Sequence, residues 1–250
     1  MKTNLSYNQY IPTRILFGAG QLNDLHAQPM PGTRALIVIS NGKSTRDNGY
    51  LARTEDQLHR AGVQTEVFDG IMPNPTVANS AAGAAAARAC KADFLVALGG
   101  GSVMDCAKAI ALLATNEGDL WDYVPIGSGK GVPIKNRPLP IVAITTTAGT
   151  GSETDGCGVI TKEDTNEKAF IMHPSLFPVL AIVDPELMLS VPPQFTAFQG
   201  FDALFHSVEG FIAASANLAS DMNAREAIRN IAEYLPRAVK DGSDLEARTR

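Results

Sequence analysis

The chain is short of cysteine, of histidine, of cationic charge and of long apolar runs, and each shortage closes off a class of function. Cys90, Cys106 and Cys157 are its three cysteines, far apart and without a Cys-x-x-Cys pair, so neither a disulfide framework nor a zinc knuckle is expected. They read as small buried residues. Against 26 Asp and Glu stand 21 Lys and Arg, for a formal charge of −5, and the cations are scattered. That argues against nucleic acid or an anionic membrane surface as a partner. No apolar run approaches the ~20 residues of a membrane helix. The opening Met1-Lys-Thr-Asn-Leu-Ser-Tyr-Asn8 has no apolar signal core, so a soluble cytoplasmic protein is expected. Of the histidines, His26, His59 and His173 stand alone and read as surface or packing residues, and neither histidine nor cysteine follows His206.

What is present is an ample core: 45% of the 250 residues are hydrophobic and 19% charged, enough for one large or two smaller domains. Short β-branched runs alternate with helix-like stretches as far as about residue 185, the pattern of βαβ units on a mainly parallel sheet. Strands are expected at 34–39, 63–68, 93–98, 139–144 and 179–183, with 159–161 and 168–172 pairing around Asp164-Thr-Asn166. Between them the spacing predicts helices over 50–61, 77–90 and 103–114, and a loop over 40–49. From Pro192 the strand pattern stops, and helices are expected over 193–215 and 218–235. The polar stretch Asp241 to Arg250 shows no clear helix stop. The expected organisation is an α/β domain over 1–185 and a helical one over 186–250, the second incomplete, as in a fragment of a longer protein. Tyr7, Tyr10, Phe17 and Trp121 read as core or edge residues.

Four segments invite chemistry, and each has a plainer reading. Gly99-Gly-Gly-Ser102, between a strand and a helix, offers free N–H groups and a helix N-terminus suited to pyrophosphate, or it is a tight structural turn. Its spacing is not the GxGxxG dinucleotide fingerprint. Thr145 to Ser152 offers hydroxyls beside glycines, able to bond phosphate, ribose or carboxamide, or it is a polar surface turn. Asn41-Gly-Lys-Ser44 follows the first strand, where a doubly wound sheet makes a second nucleotide contact, or it is a loop with a solvated lysine. Asp202 and His206, four apart, would stack on one helix face as two metal ligands, with Glu209 further along it, or they are a helix acid and a packed histidine.

Five motifs in order complete the picture: Phe17-Gly-Ala-Gly20, Asn74-Pro-Thr76, Gly99-Gly-Gly-Ser-Val-Met-Asp-Cys-Ala-Lys108, Thr146-Thr-Ala-Gly-Thr-Gly-Ser-Glu153 and Gly200-Phe-Asp-Ala-Leu-Phe-His-Ser-Val-Glu-Gly210. The chain resembles the iron-containing (group III) alcohol dehydrogenases, relatives of glycerol dehydrogenase and dehydroquinate synthase, along essentially its whole length. The resemblance implies a nucleotide-binding α/β domain, a helical domain, and a cleft between them for cofactor and metal. It implies that Gly100, Gly101 and Ser102 hold the pyrophosphate with Asp105 close behind, that Thr146, Thr147 and Thr150 line the ribose and nicotinamide side, and that Asn74 and Lys168 flank the cofactor. Family members bind metal with one aspartate and three histidines. Asp202 and His206 match the first two, and the others would lie past residue 250.

The family's usual mark of NAD is an aspartate just after the first strand. Here Ser40 holds that place, with Asn41, Gly42, Lys43 and Ser44 following. A carboxylate would repel a 2′-phosphate, whereas a serine, amides and a lysine can bind one, so NADP(H) is expected over NAD(H). The implied activity is reversible hydride transfer between nicotinamide and a small alcohol or aldehyde, with Fe2+ or Zn2+ as Lewis acid, in a homodimer or larger homo-oligomer. Two other readings remain: a nucleotide-binding module without turnover, and a lyase of the dehydroquinate synthase kind.

Overall fold

The structure is a computed structural model that describes residues 6–250. The chain divides into two compact units. The larger comprises Pro12–Thr146 and Ser152–Asp184 and is built on one six-stranded sheet. Its strands are β1 (Arg14–Phe17), β2 (Arg34–Ser40), β3 (Gln64–Ile71), β4 (Phe94–Gly99) and β5 (Ile141–Thr145), then a hairpin of β6 (Cys157–Lys162) and β7 (Glu167–Met172), and finally β8 (Leu180–Val183). The sheet order is β1-β8-β5-β4-β2-β3, with every neighbouring pair parallel, while β6 and β7 pair antiparallel on their own. Helices α1 (Ser44–Asp47), α2 (Tyr50–Arg60), α3 (Val77–Ala89) and α4 (Gly101–Thr115) make the crossovers.

Residue type explains the layering. All of β4 is buried, as a near-continuous apolar run demands of a central parallel strand. Met104, Cys106, Ala107, Ile110 and Ala111 of α4 join Leu36, Val38, Leu95 and Ala97 in one core cluster. The alanines of α3 let it approach α4 closely; a Cβ on Gly83 would lie 2.3 Å from Ile110 Cδ1. On one side of β2 lies β3 and on the other β4, so the winding reverses at the carboxyl ends of β2 and β4, the place where doubly wound sheets open a ligand crevice.

The helical unit comprises Pro185–Arg250, the loop Thr147–Gly151 and the described residues before Pro12. Its helices are α5 (Pro193–Ile212), α6 (Leu218–Lys240) and α7 (Leu245–Thr249), with α5 packed on α6. Asn217 starts α6 through a capping box, its Oδ1 accepting from Ala219 and Ser220 N–H while the Ser220 hydroxyl receives its own N–H. Among the described residues no helix is long and apolar enough to cross a membrane.

An α/β part followed by a helical part is thus the architecture, as the sequence indicates, and the differences have local causes. Strand β1 has no sequence signal because it is four residues long and sits at the sheet edge, with Ile15 and Phe17 exposed. The expected loop over 40–49 contains the one-turn helix α1, and α4 begins at Gly101 because Gly100 is already its cap. Helix α5 stops at Ile212, since the chain must extend before the Asn217 cap. Helix α6 runs past Pro236, which forfeits only the bond its N–H would have made to Ala232. The polar end contains α7, capped by Asp244, whose Oδ1 accepts from Ala247 N–H at 3.0 Å. Trp121 is buried and donates to Ser128 Oγ, whereas Tyr7 and Tyr10 are exposed.

The glycines of Phe17-Gly-Ala-Gly20 serve a buried carboxylate. Gly20 has φ 78°, and its N–H and that of Leu22 each donate to Asp184, a fully buried side chain at the end of β8, at 3.0 Å. Asp184→Ala strands both amides in the core and should lower stability by ~2 kcal/mol. Urea unfolding reads this directly, and an unmoved midpoint would refute the role.

Candidate functional site

At the reversal point β4 ends in Gly99, where a Cβ would stand 2.7 Å from Val103 Cγ2, so no side chain fits between strand and helix. Gly100 caps α4 in extended conformation with no side-chain hydrogen bond. The N–H groups of Gly101 and Ser102, in the first turn, therefore have no partner within the helix and carry the positive end of its dipole. Such an end accepts an anion through backbone amides alone.

Other predicted residues gather around this turn within the same unit. Asn74 has the left-handed conformation (φ 55°), donates its N–H to Ser102 Oγ at 3.4 Å and accepts from Lys168 Nζ at 2.8 Å. That places a cation and a side-chain amide beside the helix start. Val38 of β2 is level with Ala97 of β4, so Ser40 ends its strand on the same sheet edge as Gly99. Asn41, Gly42, Lys43 and Ser44 continue from it and are exposed; Asn41 N–H bonds Ile71 O at 2.9 Å, and Lys43 caps α1. Thr146 N–H donates to Gly99 O at 3.0 Å. One turn into α4, the Asp105 carboxylate accepts the Ser152 hydroxyl at 2.7 Å. Burial pushes its pKa up, against the Ser152 hydrogen bond and the Lys108 charge. Burial also raises Glu153.

The remaining predicted residues belong to the helical unit. Thr147 and Thr150 lie in its loop, and Ala148 N–H is held by Gln199 Oε1 of α5 at 3.2 Å. Gly149 comes closer still: a Cβ there would be 2.9 Å from Asp202 Oδ2 and 3.1 Å from Gln199 O. Asp202 and His206 are one turn apart on α5, with Oδ1 and Nδ1 3.8 Å from each other and both side chains about half exposed. An open carboxylate and imidazole on one face suit a divalent metal as two of its ligands. No cluster of three His, Cys, Asp or Glu placed for a metal occurs among the described residues. Beside the loop, a cavity of about 260 Å³ is lined by Ala148, Gln199, Gly200, Ala203, Tyr234 and Leu235 among others.

Lys108 and Gly149 stand inside the motifs with no role visible in the sequence, and Ser152, expected among the ligand-binding hydroxyls, bonds Lys108 and Asp105 instead. Lys108 is fully buried, and Gly149 is defined by what presses on it. Neither property shows in residue type. The cysteines are all free, and burial pushes the Cys106 thiol up to about 12, which leaves it unreactive.

Known proteins align with these features. Residues 12–185 match the family model described as iron-containing alcohol dehydrogenase, and residues 196–250 match the C-terminal model of the Fe-containing alcohol dehydrogenase family. Alcohol dehydrogenase 4 of Schizosaccharomyces pombe is 39% identical over 241 residues, covering 96% of this chain and 56% of its own length. NAD-dependent methanol dehydrogenase of Bacillus methanolicus is 35% identical over 242 residues, covering 96% and 62%. An archaeal halo-thermophilic alcohol dehydrogenase from a Red Sea brine pool superposes with TM-score 0.93 at 35% identity, over 99% of this chain and 63% of that one. The chain thus spans about three fifths of the length of these relatives. With both models matched in order and the glycine turn, threonine loop and Asp202–His206 helix all in place, the chain belongs to the iron-containing alcohol dehydrogenase family.

Proposed function

We propose that the chain carries the nucleotide site and two metal ligands of an NAD(P)(H)-dependent alcohol dehydrogenase, which interconverts a small alcohol and its aldehyde or ketone by hydride transfer. The contact between Gly149 and Asp202 carries this reading, because it sets the loop expected at the nicotinamide directly against an expected metal ligand. The amides of Gly100, Gly101 and Ser102 bind the pyrophosphate, with Asp105 behind them. Asn74 orients Lys168 towards the same turn, and Thr146, Thr147 and Thr150 offer hydroxyls to ribose and carboxamide. Asp202 and His206 would hold ferrous iron, or zinc, which when bound supplies Lewis-acid polarisation of the substrate oxygen. His206 binds in its neutral form and Asp202 adds negative charge to the ligand set.

The cofactor we favour is NADP(H). From Ser40 to Ser44 no carboxylate is present, and the serines, the amides and Lys43 suit a 2′-phosphate. The methanol dehydrogenase relative is named as NAD-dependent, so this choice is a property of the present chain's loop. Free cysteines suit the reducing cytoplasm, and the family resemblance supports a homodimer or larger homo-oligomer.

A second reading, a nucleotide-binding module without turnover, is favoured by one observation: Asp202 and His206 form a pair, and no group of three or more His, Cys, Asp or Glu placed for a metal occurs among the described residues. Metal analysis with aldehyde-dependent oxidation of NADPH separates the two. The enzyme reading expects stoichiometric metal and turnover; cofactor binding without either supports the module.

Three outcomes follow for variants. Ser40→Asp should shift the ratio of catalytic efficiencies from NADP(H) towards NAD(H) by about tenfold or more, and an unchanged ratio sinks the NADP(H) assignment. His206→Ala should abolish metal-dependent turnover while cofactor titration stays near wild type; loss of the folded state instead makes His206 structural. Gly149→Ala sets a Cβ 2.9 Å from Asp202 Oδ2 and 3.1 Å from Gln199 O, and should lower bound metal while the chain still melts cooperatively, if at a lower temperature. Full metal content in that variant would show that the contact is incidental.

A further inference from the structure

Lys108 is a cation in the middle of a largely apolar helix, one turn after Asp105, with 0% of its surface exposed. Burying an ammonium is costly unless every proton is matched. Here four oxygens surround it: Ser152 O and Oγ at 2.8 Å, Asp155 Oδ1 at 2.6 Å and Cys157 O at 2.7 Å. With three protons to give, one of those bonds is shared. The Ser152 hydroxyl, fixed as acceptor by Lys108, donates to Asp105 at 2.7 Å, and Asp155 Oδ1 also takes Cys157 N–H at 2.8 Å. A methionine or leucine would pack this helix face without the desolvation cost, so packing does not account for a lysine.

The network acts on chain geometry. Ser152 is the residue at which the polypeptide returns to the sheet unit after Thr147–Gly151, and Thr146, where it leaves, is tied to Gly99 O at 3.0 Å. One stem of the loop is therefore fastened to the end of β4 and the other to Asp105 and Lys108 within α4. Between the stems, Gly151 takes φ 68°, a conformation that favours glycine.

We propose that Lys108 is a positioning residue: by clamping Ser152 to α4 it fixes where the chain re-enters the sheet unit after the Thr147–Gly151 loop, and so restrains the threonines expected to meet the cofactor. The cofactor part of this inference rests on the function proposed above; the clamp does not.

The test compares wild type, Lys108→Met and Ser152→Ala by amide hydrogen exchange and by NADPH fluorescence titration, with thermal melting as the check on fold. Lys108→Met should melt cooperatively, exchange residues 147–153 at least about tenfold faster with β4 and β5 unchanged, and bind NADPH about tenfold more weakly. Ser152→Ala should change both readings in the same direction by less. A general structural role predicts instead that protection falls evenly through α4, β4 and β6, and that result overturns the proposal. If Lys108→Met does not fold, Ser152→Ala decides: wild-type loop exchange and affinity overturn the proposal, and faster loop exchange supports it. A wild-type chain that binds no NADPH defeats the nucleotide reading alone, because loop exchange still judges the clamp.

Discussion

A fully buried strand that must pass into an almost fully buried helix within two residues is the constraint on which the larger unit depends. Strand β4 has neighbours on both sides and helices over its faces, so the connection to α4 has no solvent-filled slack. At Gly99 the helix stands so close that a Cβ would meet Val103. A connection this tight caps the helix without a side chain, and the N–H groups of Gly101 and Ser102 have no partner within the helix. The packing requirement and the proposed anion site share this one cause. The reversal of winding between β2 and β4 then decides which groups share that edge: Ser40 from one strand, Asn74 and Lys168 through their bonds, and Thr146 through Gly99.

In the helical unit the equivalent constraint is Gly149. Its backbone lies against Asp202 and Gln199 with no space for a side chain, and together with the Ala148–Gln199 hydrogen bond this fixes the loop with Thr147 and Thr150 on the helix with Asp202 and His206. This arrangement is what the proposed hydride transfer requires, since the carbon accepting hydride and the oxygen being polarised would belong to one small substrate. The buried Lys108 performs the corresponding task at the Ser152 stem of the loop, where hydrogen bonds rather than close packing hold the chain.

Most of the fold was legible because its strands are long β-branched runs and its helices have strong periodicity. Arg34 to Ile39 and Asp93 to Leu98 could hardly be anything other than buried parallel strands. What escaped was set by context. Strand β1 depends on β8 for its existence, α1 on the turn left by β2, and α7 on the cap from Asp244 and the ion pairs of Arg237 with Asp244 and Glu246. At the site, residue types announced donors and hydroxyls, so Gly101, Ser102, Asp202 and His206 could be picked out from motifs. Lys108 reads as a surface cation in sequence, since only tertiary structure brings four oxygens to its ammonium. Gly149 reads as one more glycine in a polar loop.

The central claim is that the bare start of α4 holds a dinucleotide pyrophosphate. Fluorescence titration of the purified chain with NADPH, followed by displacement with ADP-ribose and separately with nicotinamide, tests it most directly. The account predicts saturable binding that ADP-ribose reverses and nicotinamide alone does not, because the diphosphate supplies most of the attachment. Absence of saturable binding, or binding that ADP-ribose leaves untouched, would contradict it.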